Sequence, residues 1–338
     1  MSETSNQQPA TVAPLAIIVP AYKAKFLREA LASIAAQTDQ RFQLYIFDDA
    51  SPEPIAAVAG EFAGRRPFHF HRFEDNLGKK SLVGQWERCL RRTCEPWVWI
   101  FSDDDVMEAG CVASFHAELD RTQSAHDLYR FNTRWIDEAG ARILESPQHP
   151  HTENGADFLM ARLAKNRHAT LQEIIFSRQA WESVGGIPDF PLGWHSDVAI
   201  TASLGVGKTL CTIPGAWVDW RSGGTSEINI SSTTSFRVTN RKIIATAIFS
   251  RWLEGFYRKN APAQTPLATR LSEQRLMEYL DNVWNFLSLR TCLALDSLAA
   301  EVWGHPRGWG LWQGLKVDSR LLKGKIGRLF PQKKIILK

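Results

Sequence analysis

Several things are missing from this chain of 338 residues. It has no apolar run of about 18 residues or more, so no segment reads as a membrane-crossing helix. Its opening, MSETSNQQPATVAP, lacks the basic start and apolar middle of a secretory signal. Cysteine is scarce and odd in number: Cys89, Cys94, Cys111, Cys211 and Cys292, with no CxxC pair. That argues against a disulfide framework and fits buried free thiols in a reducing cytoplasm. No GxGxxG follows the first apolar segment, which counts against dinucleotide binding. SLGVGKT (203–209) ends like a phosphate-binding loop, but Ala202 stands where its first glycine would have to be. His69 and His71 alternate along one short segment with no third ligand nearby, so zinc is not indicated.

What is present is a core and a charge asymmetry. The chain is 44% hydrophobic with 13 Trp and 18 Phe, enough to bury a sizeable interior. Its net charge of +4 is unevenly spread. Nine of the 40 Lys and Arg, but only one of the 36 acids (Asp318), lie between Arg307 and Lys338, so the rest of the chain is mildly acidic. In that tail the bases interleave with Trp309, Trp312, Leu315, Leu321, Leu322, Ile326, Leu329 and Phe330. Two readings fit: a helix lying on an anionic membrane surface, and a solvated helix packing one face on the body. Nucleic acid is not an expected partner, because no binding motif accompanies the terminal charge.

Along the chain, LAIIV (15–19) reads as a buried strand ended by Pro20, and Phe26, Leu27, Ala30, Leu31 and Ile34 then recur at helical spacing. FQLYIF (42–47), FHFHRF (68–73) and WVWIF (97–101) read as further strands, and Leu82, Val83, Trp86, Cys89 and Leu90 as another helix. Strand–helix alternation with continuous apolar strands predicts an α/β fold with a mostly parallel sheet covered on both faces. YRFNTRWIDEAGARI (129–143) predicts a hairpin turning at DEAG. LQEIIFSRQAWESVGG predicts a strand, a short helix around Trp181 and a glycine stop. Beyond Ser235 the pattern is wholly helical, interrupted at Pro262 and Pro266. The expected organisation is a disordered 1–13, a domain over 14–235 with halves 14–125 and 126–235, a helical region 236–304, and a basic amphipathic tail 305–338.

The chemistry gathers where strands end. WVWIF runs into Ser102 and three adjacent carboxylates, Asp103, Asp104 and Asp105, while the second strand ends in Asp48 and Asp49. Ligands of open α/β sheets bind at the carboxyl ends of strands, so these acids should approach one another on one rim. Clustered carboxylates there need a counter-charge, and hard oxygen ligands suit Mg²⁺ or Mn²⁺, with substrate phosphates completing the shell. Helix capping is the plainer reading for any single Asp of the group.

Four ordered segments over about residues 15–232 resemble glycosyltransferase family 2. They are IIVPAYKAKFLREALASIAAQTDQRFQLYIFDDASPE, EDNLGKKSLVGQWERCLRRTCEPWVWIFSDDD, VGGIPDFPLGWHSDVAI and VDWRSGGTSEINIS. The resemblance implies a GT-A, Rossmann-like fold with a C-terminal helical extension. It implies transfer of a sugar, with inversion, from a nucleotide diphosphate sugar, UDP-linked by preference, to a saccharide or lipid-linked acceptor in bacterial surface polysaccharide synthesis. The expected setting is cytoplasmic, peripheral to the inner face of the membrane. By the same resemblance Pro20 and Tyr22 would line the base pocket and Asp49 would hold the base. Asp103 would face the ribose, and Asp104 and Asp105 would make up the metal site, Asp104 as the direct ligand and Asp105 behind it. Arg221 would add charge at the phosphates, and Asp197 would be the general base. The chain departs from the family at Ser102, Lys23, Gln85 and Ser196. Ser196 or Asp197 could equally cap a helix; Lys79 and Lys80 read as solvated surface; Trp194 and Trp220 read as core or as sugar-stacking rings. A nucleotidyltransferase would need a Gly- and Lys-rich loop after the first strand, which VPAYKAKF is not. A non-catalytic sugar-binding or assembly protein on the same scaffold would have no reason to keep Asp49, Asp104 and Asp197 together.

Overall fold

Why the acids share a rim follows from the first four strands of the computed structural model, which describes residues 14–222, 235–283 and 287–310. β1 (Leu15–Ala21) is apolar throughout because it is central: it pairs in parallel with β2 (Phe42–Asp48) on one side and β4 (Trp97–Ile100) on the other. β3 (His69–Arg72) joins β2 in parallel and is the exposed edge. Between these strands run α1 (Leu27–Ala35), α2 (Ile55–Gly60) and α3 (Leu82–Leu90). α1 buries Leu27, Ala30, Leu31 and Ile34, the expected stripe, and α3 starts at Ser81, whose hydroxyl accepts the Gly84 amide at 2.8 Å.

The remaining strands widen the sheet to the order β3-β2-β1-β4-β9-β6-β10-β5. Here β5 is Val106–Met107, β6 Leu128–Ile136, β7 Arg142–Glu145, β8 Thr152–Glu153, β9 Ile174–Ser177 and β10 Leu210–Arg221. β9 lies antiparallel between β4 and β6, β10 runs parallel to β6, and β5 closes antiparallel on β10. β6 and β7 form the expected hairpin, with Gly140 at φ 79° in its turn. β9, α6 (Arg178–Ser183) and the left-handed Gly185–Gly186 pair match the expected strand, helix and stop. α4 (Cys111–Arg121), α5 (Gly155–Leu163) and α7 (Ser196–Leu204) complete this part, and the rejected phosphate-loop segment is the turn from α7 into β10.

One apolar cluster runs through this sheet, from Leu15, Ile17 and Val19 through Trp97, Trp99 and Phe101 to Phe131, Ile213 and Val218. Fully burying each such side chain contributes roughly 1.5–3 kcal/mol, so the strand ends inherit a rigid support. The Gln37–Thr38 pair after α1 is structural: the Gln37 amide donates to the carbonyls of Ser33 and Glu108 and its oxygen accepts the Val112 amide.

The described residues divide into two compact units, one within Met1–Asp189 and Ser196–Gly224, the other within Phe190–His195 and Thr225–Lys338. The second is helical: α8 (Phe236–Asn260), α9 (Thr265–Val283) and α10 (Leu289–Trp303) pack around Ile243, Ala247, Leu276, Leu280, Leu295 and Leu298. Pro262 sits in the break, whereas Pro266 falls in the first turn of α9, where its missing N–H costs nothing. That Phe190–His195 joins this unit had no counterpart in the sequence pattern; Phe190 and His195 pack edge-on and face-on against Phe249. No described helix is long and apolar enough to cross a membrane. The expected disordered 1–13 and all but the first six residues of the expected basic tail lie outside the described residues.

α5 and α7 meet through glycine. The Gly155 amide donates to the Gly205 carbonyl at 2.8 Å, and a Cβ on Gly155 would stand 2.1 Å from the Ala202 carbonyl oxygen. Gly155→Ala is expected to lower stability by about 1–3 kcal/mol through overpacking, read as a reduced urea midpoint. An unchanged midpoint would show that α5 shifts freely.

Candidate active site

β4 ends at Ile100, and the Phe101 amide still donates to the Ile18 carbonyl, so Ser102–Asp105 leave the sheet beside the end of β1. The structure brings Pro20, Tyr22, Asp48, Asp49 and Asp103–Asp105 to one rim. Asp103 is clasped from β1: its Oδ2 accepts the amides of Tyr22 at 2.8 Å and Lys23 at 2.9 Å. Burial pushes its carboxyl up, and those two amides pull it back.

Asp105 has a different task. It is buried and accepts the Arg221 amide at 2.7 Å, which ties the acid loop to the end of β10. Burial, and the charge of Asp104, push this carboxyl well above the usual range. Asp104 differs in accepting no hydrogen bond from any other described residue; the backbone donor to its carboxylate is its own amide. Burial and then the neighbouring Asp103 charge raise it to about 7, against the pull of Lys23 and Arg221. A carboxylate that no other residue hydrogen-bonds, beside two that are so engaged, is a fitting single protein ligand for Mg²⁺ or Mn²⁺, with the rest of the shell left to phosphate and water. Asp105, spent on a backbone amide, reaches that position only through its neighbour.

Arg221 departs from the expectation. Its side chain has no exposed surface, and its guanidinium donates to the carbonyls of Asp104 at 2.8 Å and Asp137 at 2.9 Å and to Glu29 at 2.6 Å. It also lies 4.2 Å over the Phe26 ring. It therefore braces the acid loop from behind and presents nothing to a phosphate.

Asp49 is likewise engaged. Oδ1 accepts the Leu77 amide at 3.0 Å and the Arg88 guanidinium, and Oδ2 accepts the Gly78 amide at 2.9 Å. Any Cβ on Gly78 would stand 2.6 Å from Oδ2, so glycine is required for this approach. Oδ2 keeps a lone pair for one more donor. Asp48 is structural, buried against Arg72 and the Ser51 amide. Between the two strands' ends, Ala50 has φ 51°, an unfavourable conformation for a residue with a Cβ and one that persists where surroundings impose it. Pro20 is half-buried and Tyr22 is exposed at the lip.

Asp197 stands in the first turn of α7, and its Oδ1 accepts the adjacent Val198 amide at 2.8 Å. Burial raises its carboxyl to about 6. The chain enters this turn through Leu192, Gly193 and His195, all at positive φ. His195 itself bonds Thr246 and stacks on Phe249 within the helical unit. Lys79 and Lys80 are exposed surface, as expected.

Sequence reasoning passed over Arg88 and the weight of Lys23. Arg88 links Asp49, Asp75 and Gln85 and covers the Phe73 ring; its signal was a cation on α3 one turn after the atypical Gln85. Lys23, one of the departures from the family pattern, acts by its charge on both Asp103 and Asp104.

Comparison with known proteins follows this geometry. Residues 16–147 match the family described as Glycosyl transferase family 2. No curated protein matches the sequence. Among solved structures, S. aureus TarS 1–349 in complex with UDP-GlcNAc is similar with a TM-score of 0.56 at 13% identity, over 92% of each chain. The same protein with UDP gives 0.53 at 14%, over 92% of this chain and 91% of that one. At such identity the likeness shows the fold.

Arg221 gives the sharpest test of the brace. Arg221→Lys cannot reproduce the planar fork and would leave buried carbonyls unpaired, so a loss of about 2–4 kcal/mol is expected in urea unfolding. Glu29→Gln, at a half-exposed partner, should cost under about 1 kcal/mol. Equal losses would place the stabilisation in the ion pair and not in the carbonyls.

Proposed function

We propose that this chain, a nucleotide-sugar glycosyltransferase of family 2 by its residues 16–147, moves a sugar from a UDP-linked donor to a hydroxyl of a saccharide or lipid-linked saccharide, with inversion and with help from Mg²⁺ or Mn²⁺. The observation that carries this reading is the division among the three adjacent acids: Asp103 on two amides just beyond β1, Asp105 on a β10 amide, and Asp104 with no donor from another described residue. A surface polysaccharide is the acceptor class the family resemblance favours. The UDP-GlcNAc and UDP complexes of S. aureus TarS, a protein of similar fold, support a uridine donor.

In this mechanism Pro20 and Tyr22 border the base, and Asp49 Oδ2 accepts an N–H from it. Asp103 fixes the loop and faces the ribose. Asp104 would hold the divalent cation, which when bound neutralises charge developing on the departing diphosphate. Asp197 takes the acceptor hydroxyl's proton as that oxygen attacks the anomeric carbon from the face opposite the nucleotide. Its raised carboxyl suits that work, because a base near the working pH accepts a proton more readily than an ordinary carboxylate.

Thermal-shift titration with UDP, GDP and CDP, with and without Mn²⁺, tests the donor half. UDP with Mn²⁺ should raise the melting temperature most, and Asp104→Asn should remove the manganese-dependent part. A UDP shift indifferent to manganese and to that substitution would refute the assignment of Asp104.

Asp197→Asn should retain the UDP shift and lose about 10²–10⁴-fold in turnover. A group raised to about 6 is protonated below that pH. The wild-type kcat/KM should therefore fall as pH drops through about 6, one decade per unit. A flat profile down to pH 4 or so would remove Asp197 from the role.

A further inference from the structure

The first unit gathers a set of buried polar atoms without a hydrogen-bond partner among the described residues. Eleven buried side-chain nitrogens and oxygens lack a hydrogen-bond partner among the described residues, and six of them sit on five residues: Arg130, His149, Arg162, His168 and Glu173. These five are electrostatic neighbours, since Arg130 and His168 act on Glu173, and Arg162 and His149 act on His168. Glu173 is fully buried, with Oε2 on the Thr170 hydroxyl at 3.0 Å and Oε1 3.5 Å from His149 Nε2. The Arg162 side chain has no hydrogen bond or ion pair among the described residues. An interior built only for packing pairs such atoms or replaces them with apolar ones.

His168 connects this set to an aromatic wall. Its ring centroid lies 5.2 Å from Trp135 and 5.8 Å from Trp220, and the two indoles meet edge to face at 4.6 Å. Both tryptophans are half-buried, Trp135 donating to the Ser146 hydroxyl at 3.1 Å. Trp220 immediately precedes Arg221, whose amide holds Asp105. Asp197, in turn, feels the charges of Arg162 and Glu173. An apolar wall beside unfilled donors and acceptors is the complement of a sugar ring, which offers a C–H face and a hydroxylated edge.

We propose that Trp135, Trp220 and His168, backed by Arg162, His149 and Glu173, form the subsite for a pyranose ring of the acceptor. The inference rests on the glycosyl-transfer reading above. The acceptor is assigned here in preference to the donor sugar because the wall's polar backing acts on Asp197, and the acceptor hydroxyl is what a base must meet.

Saturation-transfer NMR of the full chain with the methyl β-pyranosides of glucose, galactose and N-acetylglucosamine, in the presence of UDP and Mn²⁺, tests this. At least one glycoside should bind the wild type saturably. Trp220→Leu and Trp135→Leu should each need about tenfold more glycoside for half-saturation, while the UDP–Mn²⁺ thermal shift persists. Trp220→Phe keeps a ring and should recover most of the affinity, which covers the case of a leucine variant that does not fold. Wild-type affinity in both leucine variants, or no glycoside bound by the wild type, overturns the subsite. Ordered water filling the polar set would give that second result. Loss of the UDP–Mn²⁺ shift from the wild type would instead defeat the donor reading and leave the glycoside titration to be scored by itself.

Discussion

Three carboxylates in succession at the end of a buried strand repel one another and lose hydration, and the rest of the site is arranged around that difficulty. The protein answers it by giving each acid a different surrounding. Asp103 is held by two amides of the β1 turn, and Asp105 by an amide of β10. Arg221, buried behind them, supplies a full positive charge that serves the loop's carbonyl and Glu29. What remains is a single carboxylate, Asp104, that accepts no hydrogen bond from another described residue and is offset only by the charges of Lys23 and Arg221 and by its own amide.

The same economy recurs at Asp49. A carboxylate that takes two amides and a guanidinium is oriented before any ligand arrives, and Gly78 is the residue that lets the backbone come so close. Preorganisation of this kind reduces the ordering a nucleotide must induce on binding. Asp197 shows the opposite treatment. It has one local amide and a buried setting, which leaves its carboxyl close to the pH at which it would work.

Much of this was legible from residue order. β1, β2, β3, β4 and the helices α1 and α3 follow from apolar runs and 3.6-residue stripes, because local burial period and local conformation agree there; the short α2, Ile55–Gly60, had no such expectation. The hairpin at Asp137–Gly140 and the glycine stop after Trp181 were legible for the same reason. Arg221 was not, since an arginine in a family-like segment reads as a phosphate contact unless its burial is known. The placement of β9 between β4 and β6, which delivers Glu173 to the interior, depends on pairings between residues 76–80 positions apart on the β4 side and 44–48 on the β6 side, and no local pattern encodes those. Nor does any local pattern encode the meeting of Trp135 with Trp220, 85 positions downstream.

Residue order alone determined that acids cluster at strand ends, that the sheet begins parallel, and that the chain turns helical after Ser235, because hydrophobic period and turn chemistry are short-range properties. Tertiary structure alone decided which acid is free, since three chemically identical Asp side chains differ only in the amides and charges that distant strands bring to them.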